Sequence, residues 1–368
     1  MINRCIQQIL LLALAVFISF ASDQVQAQAN KATESGGAKP VKVFILAGQS
    51  NMEGKATVAL LKYQMMQPET KDLFAHLHRN GELIERDDVH IKFLDRFGKL
   101  TAGFGSPNRI GPELQFGFSM GDRFEEPILL IKTAWGGKSL FRDFRPPSAG
   151  LPDAEVLNSQ LVKERKRQPE KTLNEVKDSY GFYYREMINE VEETLANIGD
   201  FVPSYNAELG YEIAGFVWFQ GWNDMMKPEF VAAYTDNMAH FIRDVRNDLR
   251  RPSLPFVVGV LGVGGVQGQR TSEKKEEFKR NQVAVGAMEE FKGNVAIVHT
   301  DRLWDTEADA VFTKGWKENL EEWKRTGSDR PYHYLGSVKC YNRMGGAFAD
   351  GLLAILDGKN EASNSVGE

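Results

Sequence analysis

The stretch Val41-Lys42-Val43-Phe44-Ile45-Leu46-Ala47-Gly48-Gln49-Ser50-Asn51-Met52 decides how the rest of the chain is read. Its first part is almost continuously apolar, not alternating, which is the pattern of a strand buried on both faces. A glycine, an amide and a hydroxyl then follow at once, where a strand would end and a helix begin. Four more short runs have the same character, at 127–133, 214–219, 254–261 and 294–299. Longer amphipathic stretches separate them. In 228–249, Phe230, Tyr234, Met238, Phe241, Ile242 and Val245 recur at helical spacing, and Pro228 suits a helix opening. The stretches 173–198 and 272–291 read the same way, and 339–356 gives a C-terminal helix.

Strands alternating with helices predict an α/β fold, a parallel sheet covered on both sides. Right-handed crossovers then bring every strand C-terminus to one edge, where open α/β sheets bind ligands. The residues after each run are therefore the informative ones. They are Gly48-Gln49-Ser50-Asn51, Ala134-Trp135-Gly136-Gly137-Lys138-Ser139, Gln220-Gly221-Trp222-Asn223-Asp224, Gly262-Val263-Gly264-Gly265 and Thr300-Asp301-Arg302-Leu303-Trp304-Asp305.

Composition fits one globular domain. The 368 residues are 42% hydrophobic and 26% charged, unlike a disordered chain. A short positive start, an apolar run over 9–21 and Ala27-Gln28-Ala29 predict a signal peptide over 1–29. The run is too short for the roughly 20 residues of a membrane span. Cys5 precedes it, which argues against a lipoprotein anchor. A secreted or periplasmic protein without a stable membrane anchor is expected. A flexible leader at 30–40 and a polar tail at 358–368 would flank a domain over 41–357. The formal charge of −5 gives no reason to seek nucleic acid. Once 1–29 is removed only Cys340 remains, so an intrachain disulfide and a cysteine-built zinc site are both excluded.

Ser50 would stand exposed at the sheet edge, where it could cap a helix or act as a nucleophile. The other strand ends favour chemistry. Acyl transfer needs donors aimed at a developing oxyanion, and Ser50 N–H, Gly136 or Gly137 N–H and the Asn223 amide are candidates from three neighbouring strand ends. A serine also needs a base. Of the six histidines, His333 is favoured over His299, because it lies in a loop with Asp329 four residues upstream. Gln49, Trp135, Gln220 and Trp222 surround the same edge and are candidate substrate contacts, the two tryptophans offering ring faces to a sugar. The segment 141–171 is long enough to be a substrate-facing loop. No H-E-x-x-H, G-x-G-x-x-G or G-x-x-x-x-G-K-[ST] motif occurs, so neither a metal hydrolase nor a nucleotide-binding protein is indicated.

These blocks resemble those of the SGNH hydrolases, most closely the sialate O-acetylesterase-like and carbohydrate esterase family 6 branch. Gly48 to Asn51 match its Gly-Gln-Ser-Asn, 134–139 supply the second-block glycine, Gly221-Trp222-Asn223-Asp224 match Gly-x-Asn-Asp, and His333 stands where the late histidine falls. The resemblance covers about 41–356. It implies a three-layer α/β/α sandwich of flavodoxin type around a five-stranded parallel sheet, and removal of O-acetyl groups from carbohydrates without a cofactor. Alternatives are an inactive glycan-binding module and an SGNH lipase or thioesterase. The family's acid usually stands three residues before the histidine, but here that position is Arg330. Asp329 is the first choice for the acid, with Asp224, Asp301, Asp305 or a backbone carbonyl left open. A glutamate that some relatives carry after the third-block glycine is replaced by Trp222.

Overall fold

The structure, a computed structural model, describes residues 39–266 and 271–358. The expected signal peptide, the leader up to residue 38 and the tail from residue 359 lie outside the described residues. The central sheet has seven strands: β1 (Val41–Gly48), β2 (Val89–Phe93), β3 (Arg96–Lys99), β4 (Ile128–Ala134), β5 (Tyr211–Phe219), β6 (Phe256–Val260) and β7 (Val295–His299). Their order is β7-β6-β5-β1-β4-β2-β3. Every pairing is parallel except β2 with β3.

Five of these strands are the apolar runs, and they keep the flavodoxin order with β1 between β4 and β5. The count of five is corrected to seven by β2 and β3. Val89-His90-Ile91-Lys92-Phe93 carries two titratable residues in five, which masks a strand in the sequence. In the fold His90 is buried and Lys92 Nζ meets Glu190 at 2.7 Å. The edge strand β3 alternates Arg96 and Gly98 with exposed Phe97 and Lys99, a short charged edge that discourages further pairing.

Four helices build the outer layers: α1 (Glu113–Arg123), α2 (Phe182–Ala196), α3 (Tyr234–Asp248) and α4 (Val338–Leu356). Side chains alternate along β5, so its neighbours define the two faces. Gly215 lies against Leu352 of α4, whereas the next residue, Phe216, turns its ring to Phe241 of α3 at 6.0 Å. Trp218 meets the same Phe241 at 4.3 Å, and Tyr184 of α2 meets it at 5.7 Å. Gly117 of α1 packs on Leu130 and Val89 from the α4 side, and Gly345 of α4 touches Gln115.

The long helical stretches are interrupted. The stretch 228–249 breaks at Ala233 into Pro228–Ala232 and α3, and 173–198 breaks at Gly181, whose φ is +68°. The segment 141–171 is not an open substrate loop. It contains the helix Ala154–Arg165, whose Leu157 and Leu161 join Phe141, Val176, Tyr180 and Phe230 in a second small core. Its basic end is solvated, and Arg142 pairs with Glu164 at 2.5 Å.

Candidate active site

The site forms at the C-terminal ends of β1, β4 and β5. Gly48 closes β1 with φ +153°, and a Cβ there would collide with the Phe219 carbonyl at the end of β5. Only glycine lets these two strand ends approach so closely. The chain then turns into the single-turn helix Ser50–Glu53. Gln49 holds the cap position, so Ser50 is the first helical residue and its N–H has no intrahelical partner. Its hydroxyl does not cap. Ser50 Oγ lies 3.0 Å from His333 Nε2.

His333 Nδ1 lies 3.1 Å from Asp329 Oδ1. A carboxylate only accepts, so Nδ1 carries the proton and Nε2 is left to accept from the serine hydroxyl. Burial pushes the Asp329 carboxyl up, but His333, the Arg330 N–H and the Arg109 guanidinium together outweigh it and bring it to about 2. Arg109 Nη1 bonds Asp329 Oδ2 directly. Asp329 is therefore ionised at neutral pH.

The loop bearing His333 is held in an unusual backbone shape. Tyr334 and Leu335 have φ of +50° and +61°, and Gly336 follows at +57°. Two consecutive left-handed non-glycine residues cost on the order of 1–3 kcal/mol each. Hydrogen bonds fix the reversal: Leu335 O accepts from Ser328 N–H (2.8 Å) and Asp329 N–H (3.0 Å). The buried Tyr334 hydroxyl accepts from Gly262 N–H at 2.7 Å and meets Thr300 Oγ1 at 2.6 Å. The turn brings residues 329 and 333 face to face across one extra residue. From the nucleophile side, Asn51 Nδ2 donates to the Tyr332 carbonyl at 3.1 Å. Tyr341 of α4 shares its hydroxyl between Asn51 Oδ1 (3.2 Å) and the His333 carbonyl (3.4 Å).

Gly136 stands beside Ser50: a Cβ on it would be 3.7 Å from Ser50 Cβ. Gly137 follows with φ +74° and open space around it. Asn223 lies half-buried in the short helix Trp222–Met225, and among the described residues its amide makes no hydrogen bond. Trp222 is half-buried with its ring 5.6 Å from that of Tyr332, and Tyr332 stacks edgewise on His333 at 4.5 Å. Tyr332 is an exposed aromatic that sequence reasoning missed, although it adjoins the favoured base.

Two expected substrate contacts are corrected. Gln49 and Gln220 are 1% and 2% exposed, and their amides engage each other. Gln49 Oε1 accepts from Gln220 Nε2 (3.1 Å) and Gly221 N–H (3.3 Å), while Gln220 Nε2 also donates to Lys138 O and Asp224 Oδ2. They brace the floor between strand ends. Trp135 is half-buried against Tyr183 (5.2 Å) and Phe144 (6.0 Å), so much of its ring is packing surface.

The competing acids are occupied elsewhere. Asp224 is fully buried and accepts from Leu140 N–H, Phe141 N–H and Gln220; burial pushes its carboxyl up to about 7. Asp305 caps the helix Thr306–Gly315 and accepts from Ser337 at 2.6 Å. Asp301 pairs with Lys279 at 3.0 Å. His299 ends β7, three strands from β1, which at about 4.8 Å per strand is roughly 14 Å across the sheet.

Beneath the site, Lys132 of β4 is entirely buried. It donates to Glu113 Oε2 at 2.7 Å and to the carbonyls of Glu53 and Phe104 at 2.8 Å each. A lysine inside an otherwise apolar strand was the available signal for such a pair.

Comparison with known proteins places this geometry in context. The family model described as carbohydrate esterase, sialic acid-specific acetylesterase matches residues 40–314. Ser50, Gly136 and Asn223 lie inside that match; Asp329 and His333 lie beyond it. A probable carbohydrate esterase of Arabidopsis thaliana is 23% identical over 249 residues, 66% of this chain and 78% of the relative. Among solved structures, an Arabidopsis thaliana protein overlaps with a TM-score of 0.49 at 18% identity, covering 86% of this chain and 98% of its own. A carbohydrate acetylesterase from Xanthomonas citri overlaps at 0.48 and 14% identity, covering 86% and 57%.

Proposed function

The chain belongs to the carbohydrate esterase, sialic acid-specific acetylesterase family, and from that premise we propose that it is a serine esterase removing O-acetyl groups from a carbohydrate. The observation that carries this reading is the continuous relay from Asp329 Oδ1 through His333 to Ser50 Oγ, at 3.1 and 3.0 Å. Ser50 attacks the acetyl carbonyl while His333 Nε2 takes the hydroxyl proton. Asp329 keeps the imidazole in the right tautomer and stabilises the imidazolium. Ser50 N–H, a glycine N–H from 136 or 137 and the Asn223 amide receive the oxyanion. The sugar oxygen leaves with the proton from His333. Water then attacks the acyl carbonyl as His333 accepts its proton, and acetate leaves as His333 returns that proton to Ser50 Oγ.

Trp222 and Tyr332 flank the nucleophile and offer ring faces to the sugar. The apolar segment near the N-terminus supports export to the periplasm or medium, with cleavage after Ala29. Among the described residues, no helix is long and apolar enough to cross a membrane. The reading is tested by acetate release from acetylated xylans, pectins and sialic acids, and from 4-nitrophenyl acetate, by wild type and Ser50→Ala. Wild type is expected to turn over at least one of the sugars, and the variant none of them while its melting temperature stays unchanged. An active Ser50→Ala enzyme would overturn the mechanism.

A further inference from the structure

The segment carrying the nucleophile and the loop carrying the acid are joined by one guanidinium. Arg109 lies on a two-residue ribbon strand, Arg109–Ile110, antiparallel to Ala56–Thr57. Ala56–Thr57 follows directly from the Ser50–Glu53 helix, so the ribbon is an extension of the nucleophile segment. Gly54 and Gly111 cross at its base, with φ +94° at Gly54 and no room for a Cβ on either. Arg109 Nη1 donates to the Lys55 carbonyl at 2.6 Å and to Asp329 Oδ2. The side chains of Arg109 and Asp329 are 28% and 17% exposed, so this contact is partly shielded from solvent. Next to it, Thr57 N–H donates to Ser328 Oγ at 3.2 Å.

Every described partner of the Asp329 carboxylate can then be named. On its own loop, His333 Nδ1 and the Arg330 N–H both engage Oδ1. From the ribbon, Arg109 engages Oδ2. From α4, the Tyr341 phenol is pushed well above its usual range, first by burial and then by the nearby Asp329 charge. Among the described residues, Arg109 is the cation brought to Asp329 from outside the loop. A carboxylate held through one oxygen keeps torsional freedom that fixing the second oxygen removes. Arg109 fixes it, and references the acid to the nucleophile segment.

Resting on the serine-esterase reading above, we infer that Arg109 is a positioning residue for the reaction, a fourth member acting through Asp329. It sets the carboxylate's orientation and offsets part of its charge. This accommodates the extra residue between acid and histidine: the loop's own donors hold one carboxylate oxygen, and the ribbon fixes the other.

The experiment compares full-length wild type, Arg109→Met, Arg109→Lys and Ser50→Ala on 4-nitrophenyl acetate, with kcat, KM, the pH profile of kcat/KM and a thermal melt for each. Arg109→Met is expected to lose roughly 10- to 100-fold in kcat with little change in KM, the size of effect that a misplaced catalytic group produces. The acid limb of its kcat/KM profile should move to higher pH, because removing a cation from the site favours its protonated form. Arg109→Lys restores the cation but not the reach and direction of the planar guanidinium, and should recover the limb while leaving part of the kcat loss. A purely architectural role for the ribbon would lower the melting temperature and the active fraction and leave the limb where it was. That outcome, or a wild-type kcat in Arg109→Met, overturns the proposal. If Arg109→Met does not fold, an Arg109→Lys enzyme with full kcat overturns it equally. An active Ser50→Ala would instead defeat the esterase reading itself, so the two failures are separable.

Discussion

Two histidine–aspartate pairs sit at the same edge of the sheet, and the contrast between them shows what makes such a pair a candidate relay. At one end His333 Nδ1 is 3.1 Å from Asp329, and its other nitrogen is 3.0 Å from a serine hydroxyl. At the other, His299 Nδ1 is 3.8 Å from Asp301, beyond hydrogen-bond reach. Asp301 turns its other oxygen to the buried Lys279. The first pair has a carboxylate held well below its usual range and a free acceptor nitrogen facing a nucleophile. The second has a carboxylate already matched by a lysine, and a histidine whose charged form burial disfavours. The residue types are the same in both, although His299 ends a strand and His333 sits in a loop. Orientation separates them, and that is set by the left-handed turn at Tyr334 and Leu335.

The sharpest way to break the comparison is to remove each histidine in turn. His333→Ala should cost about 10⁴-fold or more in kcat on an aryl acetate. His299→Ala should stay close to wild type when rates are normalised to folded enzyme. Comparable losses from both would erase the distinction. The aspartates come next. Asp329→Asn should reduce kcat by roughly 10²- to 10⁴-fold through the wrong tautomer. Asp301→Asn should leave turnover intact and leave Lys279 with Glu276 as its remaining ionic partner, costing about 1.5 kcal/mol of stability by denaturant titration. The smallest effect is a pH dependence. Burial lowers the proton affinity of His299 in the folded state, so the unfolded chain binds more protons as pH falls below about 6.5. The stability this contributes is complete above that pH and is lost on acidification. His299→Gln should therefore flatten the part of the melting-temperature curve between neutral pH and about pH 5, and an unchanged slope would remove His299 from the account.

Much of this arrangement was legible in the sequence because burial on both faces writes continuous apolar runs. β1, β4, β5, β6 and β7 follow from that signal, and with them the edge at which Ser50 stands. His333 followed from its loop setting. Where side chains point was not legible. At a strand end, consecutive residues alternate between the cleft and the interior, so Gln49 and Gln220 read as substrate contacts although their amides face one another beneath the floor. β2 was hidden by His90 and Lys92: Glu190 makes the lysine tolerable there, and burial disfavours the charged form of the histidine. Arg109 and Lys132 left weak signals, since an arginine in a Gly- and Pro-rich turn and a single lysine in an apolar run acquire meaning only when Asp329 and Glu113 arrive from distant parts of the chain. Choosing among the four aspartates needed the fold for the same reason.

The central claim is that Ser50 is a nucleophile activated by His333. Its most direct test is labelling of the folded protein with an aryl fluorophosphonate, read by intact mass and peptide mapping. The account predicts one label per chain, on Ser50, with matching loss of esterase activity, rapid in His299→Ala and nearly abolished in His333→Ala. Label on another residue, or full labelling of Ser50 without His333, would contradict it.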